Sequence, residues 1–89
     1  MKLIITEDKI YNVFVKYMDS QYNLSYNYRT REFIDKYDDV FGWMDNESFL
    51  YGQLSDEEKL SNMFGDNVNK LLLPYLRDTF PSLTIFHIL

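Results

Sequence analysis

Residues 40–54, VFGWMDNESFLYGQL, consist of two apolar stretches separated by the polar triplet DNE at 45–47. Residues of these polar types accept the backbone geometry of tight turns. The stretches at 40–44 and 48–54 are therefore predicted to pair as a β-hairpin. Each stretch contains one glycine, which inside a strand is typical of a bulge or of close backbone approach. The hairpin predicts a β-sheet in the middle of the chain.

The residues before the hairpin extend the predicted sheet. Leu24, Tyr26 and Tyr28 alternate with polar residues, as in a half-buried strand, and residues 31–37 are compatible with another strand. Aromatic and cationic side chains of the kind that bind single-stranded nucleic acids are interleaved at Tyr26, Tyr28, Arg29 and Arg31. Because this patch covers one short strand of an acidic chain, an ordinary exposed strand face is the preferred interpretation. Trp43 is predicted to pack in the hairpin, with an interface anchor as the alternative.

The segment before the sheet is predicted to form a helix over residues 7–20. Thr6 is placed to cap this helix, and apolar residues recur within it at amphipathic spacing. The stripe predicted to face the core consists of Ile10, Val13, Phe14 and Tyr17. Residues 2–5 are predicted to form a short strand ahead of the helix.

A second apolar stripe runs beside the first on the same helix. Together with one residue of a later helix it forms the predicted interface, which consists of Tyr11, Val15, Tyr22 and Leu73. Large apolar side chains left together in water form a patch that monomers rarely expose. We therefore expect self-association or docking of a protein partner at this stripe. The alternative is that the middle strands cover it.

The C-terminal half is predicted to contain two helices. The sequence SDEE beginning at Ser55 is a capping box, Gly65 ends the helix that follows, and Asp66 caps the next helix. That last helix is predicted to run over residues 67–79 as one kinked helix, although Pro74 lies inside it. Its predicted core residues are Val68, Leu71, Leu72, Tyr75 and Leu76.

These elements predict a single α+β domain over residues 1–89. The predicted order is β-α-β-β-β-α-α-β, with the helices packed on an antiparallel sheet. The final strand, at 82–89, is apolar on both faces, which is typical of a central or doubly covered strand. A chain of 89 residues is too short to build two separate cores.

The composition leaves few groups for catalysis. The chain has no cysteine, three glycines and a single histidine, His87, which excludes a thiol nucleophile, a closed zinc site and a glycine-rich phosphate loop. We expect no cofactor, no metal ion, no catalytic residue and no enzymatic activity. The alternative is a small-ligand-binding or enzymatic domain that uses the acidic loop at 35–39, with Asp35, Asp38 and Asp39, together with His87.

The net charge of −5 restricts the classes of partner. Proteins that bind duplex nucleic acid carry a basic footprint, which this chain lacks. An acidic DNA mimic that inhibits a host nucleic-acid enzyme is the alternative that this charge leaves open. No stretch is long and apolar enough to cross a membrane, and the first residues do not follow the pattern of a signal peptide. We therefore expect a soluble, cytoplasmic protein.

Two stretches of the sequence carry a resemblance: MKLIITEDKIYNVFVKYMD at 1–19 and LSNMFGDNVNKLLLPYLRDTF at 60–80. They resemble the start and the C-terminal section of short uncharacterised open reading frames of phages. In that group a Phe-Gly pair, here Phe64-Gly65, precedes a helix that ends in a Trp-Leu or Tyr-Leu pair, here Tyr75-Leu76. The chain departs from the group in its middle and at Pro74. The resemblance implies a viral origin and brings no known activity with it.

The missing catalytic groups and the surplus apolar surface together indicate a function. The sequence predicts a small, non-enzymatic, phage-encoded protein that acts through protein–protein contact. The partner is predicted to be either a second copy of the chain or another protein.

Overall fold

The computed structural model describes residues 7–89. In chain order it contains α1 (Glu7–Gln21), β1 (Ser25–Asn27), β2 (Glu32–Ile34), β3 (Val40–Asp45), β4 (Ser48–Tyr51), α2 (Leu54–Phe64), α3 (Val68–Thr79) and β5 (His87–Ile88). The α+β class is confirmed, but the middle of the chain holds four strands rather than three. The predicted strand at 2–5 and the cap at Thr6 lie outside the described residues. None of these helices has the length and apolar character that crossing a membrane requires.

The strands form one sheet in the order β1-β2-β3-β4-β5. The first three pairings are antiparallel, whereas β5 runs parallel to β4 with His87 opposite Ser48. This last pairing differs from the predicted antiparallel arrangement because α2 and α3 form a crossover between the two strands, as parallel neighbours require. The predicted strand at 82–89 is reduced to two residues at the sheet edge, so it is not central.

The predicted hairpin is confirmed as β3 and β4. Asp45 pairs with Ser48, so the turn consists of two residues, and Asn46 has the positive φ of 55° that such turns favour. Gly42 allows close approach across the strands, because a Cβ atom there would lie 2.4 Å from the ring of Phe49. A register shift between β2 and β3 supplies the bulge that the glycines indicated.

The core lies between one face of the sheet and the three helices. Both layers contribute fully buried aromatic and aliphatic side chains, among them Phe14, Phe33, Phe41, Phe49, Leu60, Leu72 and Leu76. The rings meet mostly edge to face, as in the contact of Phe33 with Phe49 at 5.4 Å between centroids. Such aromatic pairs each add about 0.5–1.5 kcal/mol beyond the area that they bury. Aromatic packing therefore gives this short chain a dense core.

The face that α1 presents to the core differs from the predicted one. Of the predicted stripe only Phe14 is fully buried, while Ile10 is 38% exposed and Val13 is 60% exposed. Tyr22, from the second stripe, is buried instead, as is Met18, which lies where the two stripes meet. The prediction for α3 is largely confirmed, since all its predicted core residues are buried except the half-buried Leu71.

The helix ends were predicted with mixed success. Gly65 ends α2 with a positive φ of 86°, and its N–H donates to Ser61 at 2.8 Å, as a terminating glycine should. The predicted capping box is wrong, because α2 begins at Leu54 and Ser55 lies within its first turn. Asp66 is not the cap of α3, which begins after Asn67. As predicted, α3 continues as one helix through its internal proline.

Candidate functional site

The predicted interface is not a free apolar surface. Tyr22 is buried with 5% of its surface exposed, and Tyr11, Val15 and Leu73 are half-buried against the core. The second stripe of α1 lies on the core side, beside the fully buried Phe14 and Met18. The alternative prediction, in which the middle strands cover the stripe, agrees with the packing of Tyr22 on Phe41 of β3, whereas Tyr11 bonds to Asp78 of α3.

One edge of the buried face of α1 is acidic and is joined to α3. The Tyr11 hydroxyl donates to Asp78 at 2.6 Å, and the Tyr75 hydroxyl donates to Asp19 at 2.8 Å. Hydrogen bonds to carboxylates are stronger than those between neutral groups. Burial, followed by these carboxylates, raises the pKa of both Tyr11 and Tyr75. We call the four residues the acidic edge; its polar groups are engaged in holding the two helices together.

A third tyrosine–carboxylate pair joins the end of α1 to the start of α2. The Tyr22 hydroxyl donates to Asp56 at 3.4 Å. Burial raises the pKa of the Asp56 carboxyl, and the negative charge of Asp35 raises it further, whereas the hydrogen bond from Tyr22 opposes the shift. Burial also raises the pKa of Tyr22, as does the charge on Asp56. This pair packs two helix ends and faces no cavity that could receive a ligand among those lined by described residues.

The acidic loop at 35–39 is organised by one of its own carboxylates. The side chain of Asp35 accepts hydrogen bonds from the backbone N–H groups of Tyr37, at 2.8 Å, and Asp39, at 3.0 Å. Asp38 has a positive φ of 68°, which the aspartate side chain tolerates. Among residues 7–89, no group of three histidine, cysteine or acidic residues is placed to hold a metal ion. The loop therefore uses Asp35 to shape its own backbone.

His87 lies far from this loop. Asp35 follows the end of β2 that pairs with Val40, whereas His87 pairs with Ser48, which lies opposite Asp45 at the other end of β3. Val40 and Asp45 are five residue steps apart along β3, which is about 16 Å at a rise of about 3.3 Å per residue. His87 also lies two strands away from β3. The structure does not bring the acidic loop and the histidine together.

The aromatic and cationic residues near β1 do not form a stacking platform. Tyr26 packs on Phe33, with 4.8 Å between the ring centroids, and belongs to the margin of the core. The ring of Tyr28 meets Tyr26 edge to face, and its hydroxyl lies 2.7 Å from Ser82. Stacked bases need parallel aromatic faces in contact with solvent. Tyr26 is committed to contacts within the protein, and Tyr28, although 66% exposed, stands edge-on to it rather than parallel.

The other edge of the buried face of α1 borders an apolar groove between the three helices, and Tyr11 of the acidic edge reaches the larger cavity of this groove. Ile10, Val13 and Met63 are the exposed apolar residues there. One cavity of about 490 Å³ and a second of about 390 Å³ share two of their lining residues, Ile10 and Phe64. We define the helical groove by the apolar residues that line the two cavities: Ile10, Val13, Met63, Phe64, Leu71 and Pro74.

The floor of the helical groove is rigid. Phe64 packs edge to face on Phe14 at 5.0 Å and on Tyr17 at 5.5 Å between ring centroids. Phe14 is fully buried, so these contacts connect the groove directly to the core. A groove held by interlocked aromatic rings keeps its shape before a ligand arrives, which lowers the entropy cost of binding.

Pro74 gives the helical groove an unusual wall. Proline has no N–H, so the carbonyl group of Lys70, one turn earlier in α3, does not receive the usual helical hydrogen bond. A proline in a helix interior costs about 3 kcal/mol. Both residues line the same cavity. The wall is therefore a helix turn that carries apolar side chains and lacks one backbone hydrogen bond.

The sheet carries a second, smaller apolar surface on the face turned away from the helices. Trp43 is 39% exposed and lies opposite Glu32 on one neighbouring strand and Leu50 on the other. The predicted packing of Trp43 in the hairpin agrees with these pairings. None of the five cavities described for this structure is lined by Trp43.

Sequence reasoning missed the helical groove although its residues were identified. Ile10 and Val13 were assigned to the core because they share a stripe with Phe14. Leu71 was likewise assigned to the core, as part of the stripe of the last helix. The available signal was that α1 is apolar around more of its circumference than one buried face needs. The chain matches no protein-family model, no curated protein and no solved structure with which it was compared.

Proposed function

We propose that this protein acts by non-enzymatic contact with another protein, and that the helical groove is the contact surface. The observation that carries the proposal is the exposure of Ile10, Val13 and Met63 beside half-buried Phe64. Contiguous apolar surface of this kind is a common mark of protein interaction sites. The proposal replaces the predicted interface on the other side of α1.

The tyrosine–carboxylate pairs and the acidic loop support a binding role over a catalytic one. The tyrosine–carboxylate pairs are engaged between helices, and Asp35 is engaged in its own loop. General acid–base catalysis requires a titratable group beside the space that the substrate occupies. The larger cavity of the helical groove is lined by apolar residues, an asparagine, a tyrosine and one lysine. This lining suits the burial of an apolar side chain.

A phage origin belongs to the same proposal and rests on the resemblance of residues 1–19 and 60–80 alone. A small viral protein without catalytic groups is expected to act by occupying a surface of a host or viral protein. The site of that contact is the testable part of the proposal.

The test is affinity capture with matched variants. The native protein, Val13→Glu and Leu54→Glu serve as baits in extracts of the cells that produce the protein. Both positions are exposed on helices, at 60% and 74%, but only Val13 lines the groove. We expect Val13→Glu to lose a captured protein that Leu54→Glu retains. Circular dichroism and thermal melts check that both variants are folded.

Capture of the same proteins by all three baits would contradict the proposal. A catalytic activity that survives Val13→Glu and disappears with Asp56→Asn or Asp35→Asn would favour an enzymatic role instead.

A further inference from the structure

We propose that the occupant of the helical groove is an amphipathic helix of a different protein, with carboxylate side chains beside its apolar face. This inference rests on the proposed function and adds the chemistry of the partner. It follows from the distribution of charge around the groove and from the absence of a strand edge within it.

The helical groove is basic although the chain as a whole is acidic. The chain has 9 basic and 14 acidic residues. Lys9 lines one cavity of the groove and Lys70 lines the other, and no acidic residue is among the described residues that line either cavity. Lysines at the border of an apolar surface select and steer a partner that carries negative charge.

Two more lysines lie on the same faces of the helices. Lys16 follows Val13 by three residues on α1, and Lys59 precedes Met63 by four residues on α2. Residues at these spacings are neighbours on a helix surface. Both lysines are exposed. Two of the six lysines of the chain therefore line the groove, and two more are helical neighbours of residues that line it.

The acidic residues of the helices whose side chains the structure describes do not line the groove. Asp19 and Asp78 are on the acidic edge of α1 and α3. A separate cavity of about 260 Å³, between α2 and α3, is lined by Glu57, Glu58 and Asp66. The described charged residues that line the groove are thus both lysines, so the partner surface that complements them is negative.

The partner segment is expected to be helical because the walls of the groove are helices. Backbone groups within a helix are already hydrogen-bonded, so the groove offers no strand edge with which an extended peptide could pair. The carbonyl of Lys70, opposite Pro74, is the exception. An amphipathic helix satisfies its own backbone and offers apolar anchors at a spacing of three or four residues. Both cavities are large enough for such anchors, since ligand pockets occupy about 300–1,000 Å³.

A second copy of the chain fits this surface less well. A two-fold axis through the groove would place Lys9 and Lys70 of one copy near the same lysines of the other. Like charges at an interface disfavour that pairing. Self-association through the groove is therefore an outcome that would overturn the inference.

The test is a selection from displayed amphipathic helices of about 18 residues, long enough to be helical in water. Their apolar face varies among Leu, Ile, Met and Phe, and the flanking positions vary among Glu, Lys, Gln and Ser. We expect the selected helices to carry an excess of Glu at the flanks and to bind more weakly as salt is raised. Val13→Glu should weaken binding about tenfold or more, whereas Leu54→Glu should leave it unchanged.

Charge reversal tests the role of the lysines directly. The same library selected against the Lys9→Glu/Lys70→Glu double variant should yield helices with an excess of Lys at the flanks. Because both lysines are exposed, the variant should fold. Should its thermal melt show a loss of stability, Lys70→Gln alone gives the same comparison, with weaker binding of the Glu-rich helices as the expected result.

The outcomes separate this inference from the function on which it rests. Selected helices that need Val13 but show no preference for Glu would overturn the inference and leave a groove that binds proteins. Self-association in sedimentation that Val13→Glu abolishes would identify a second copy as the occupant and would also overturn it. If no binding of any kind depends on Val13, both the inference and the proposed function are wrong.

Discussion

The two edges of the buried face of α1 differ in charge and in what contacts them. On the acidic edge, Tyr11 donates to Asp78 and Asp19 accepts from Tyr75, so every named polar group bonds across to α3. On the opposite edge, which borders the helical groove, Ile10 and Val13 are exposed beside lysines. On one side of α1, therefore, polar groups hold the helix to α3, and on the other side apolar residues are left exposed for a partner.

The largest expected effect is a loss of stability at the buried centre of α1 that the edge beside the groove does not show. Phe14→Ala should lower the free energy of unfolding by about 3–5 kcal/mol, because the ring is fully buried and its removal leaves a cavity. Val13→Ala, at the neighbouring position, should change it by less than about 0.5 kcal/mol, since exposed positions contribute little. Urea melts of both variants measure the difference. Similar losses for the two would show that the groove edge is part of the core.

A charge placed on either side of α1 gives the next largest effect. Val15 is half-buried against the core, so Val15→Glu should destabilise the fold by about 3 kcal/mol. Val13→Glu should stay folded with a nearly unchanged melting temperature. Thermal melts followed by circular dichroism measure both. A stable Val15→Glu variant that loses a partner would restore the interface predicted from the sequence.

The acidic edge should make the free energy of unfolding fall at high pH. The folded protein raises the pKa of Tyr75 above its ordinary value of 10.0, so the unfolded chain loses this proton first as the pH rises. The contribution of Tyr75 is fully present below about pH 10 and is lost above it, with a slope of about 1.4 kcal/mol per pH unit. Tyr75→Phe should remove this part of the slope.

The same substitution also removes the hydrogen bond to Asp19, which should cost about 1.5 kcal/mol at neutral pH. Denaturant melts between pH 7 and about 11 give both quantities. Tyr37→Phe is the matched control, because that ring is 70% exposed. If the free energy of unfolding falls with alkaline pH equally in the native protein, Tyr75→Phe and Tyr37→Phe, the buried phenol of Tyr75 does not cause that fall.

The sequence predicted the secondary structure better than the faces of its elements. The hairpin with its turn at 45–47, the helix at 7–20 and the continuous α3 each follow from residues within one short segment. Burial of Leu72 and Leu76 was also predicted, because α3 has a single dominant apolar stripe. On α1 two stripes compete, and the periodicity of one helix does not decide which of them meets the sheet.

The sequence did not predict the candidate site for the same reason. Val13 and Met63 are 50 residues apart in the chain and belong to two helices that meet where Phe14 of α1 packs on Phe64 of α2. The lysines around the groove are equally scattered along the sequence. His87 and the acidic loop, which the sequence offered as one alternative site, are separated by the register of the strands.

By itself the sequence determined the class of fold, the turn between β3 and β4, the end of α2 at Gly65 and the composition of a core rich in aromatic residues. These features depend on local conformational preference and on the total apolar content of the chain. Only the tertiary structure decided which stripe of α1 is buried, that β5 runs parallel to β4, and that lysines from three helices surround one groove. Those features depend on packing between distant segments, where burying Tyr22 and Met18 leaves Ile10 and Val13 at the surface.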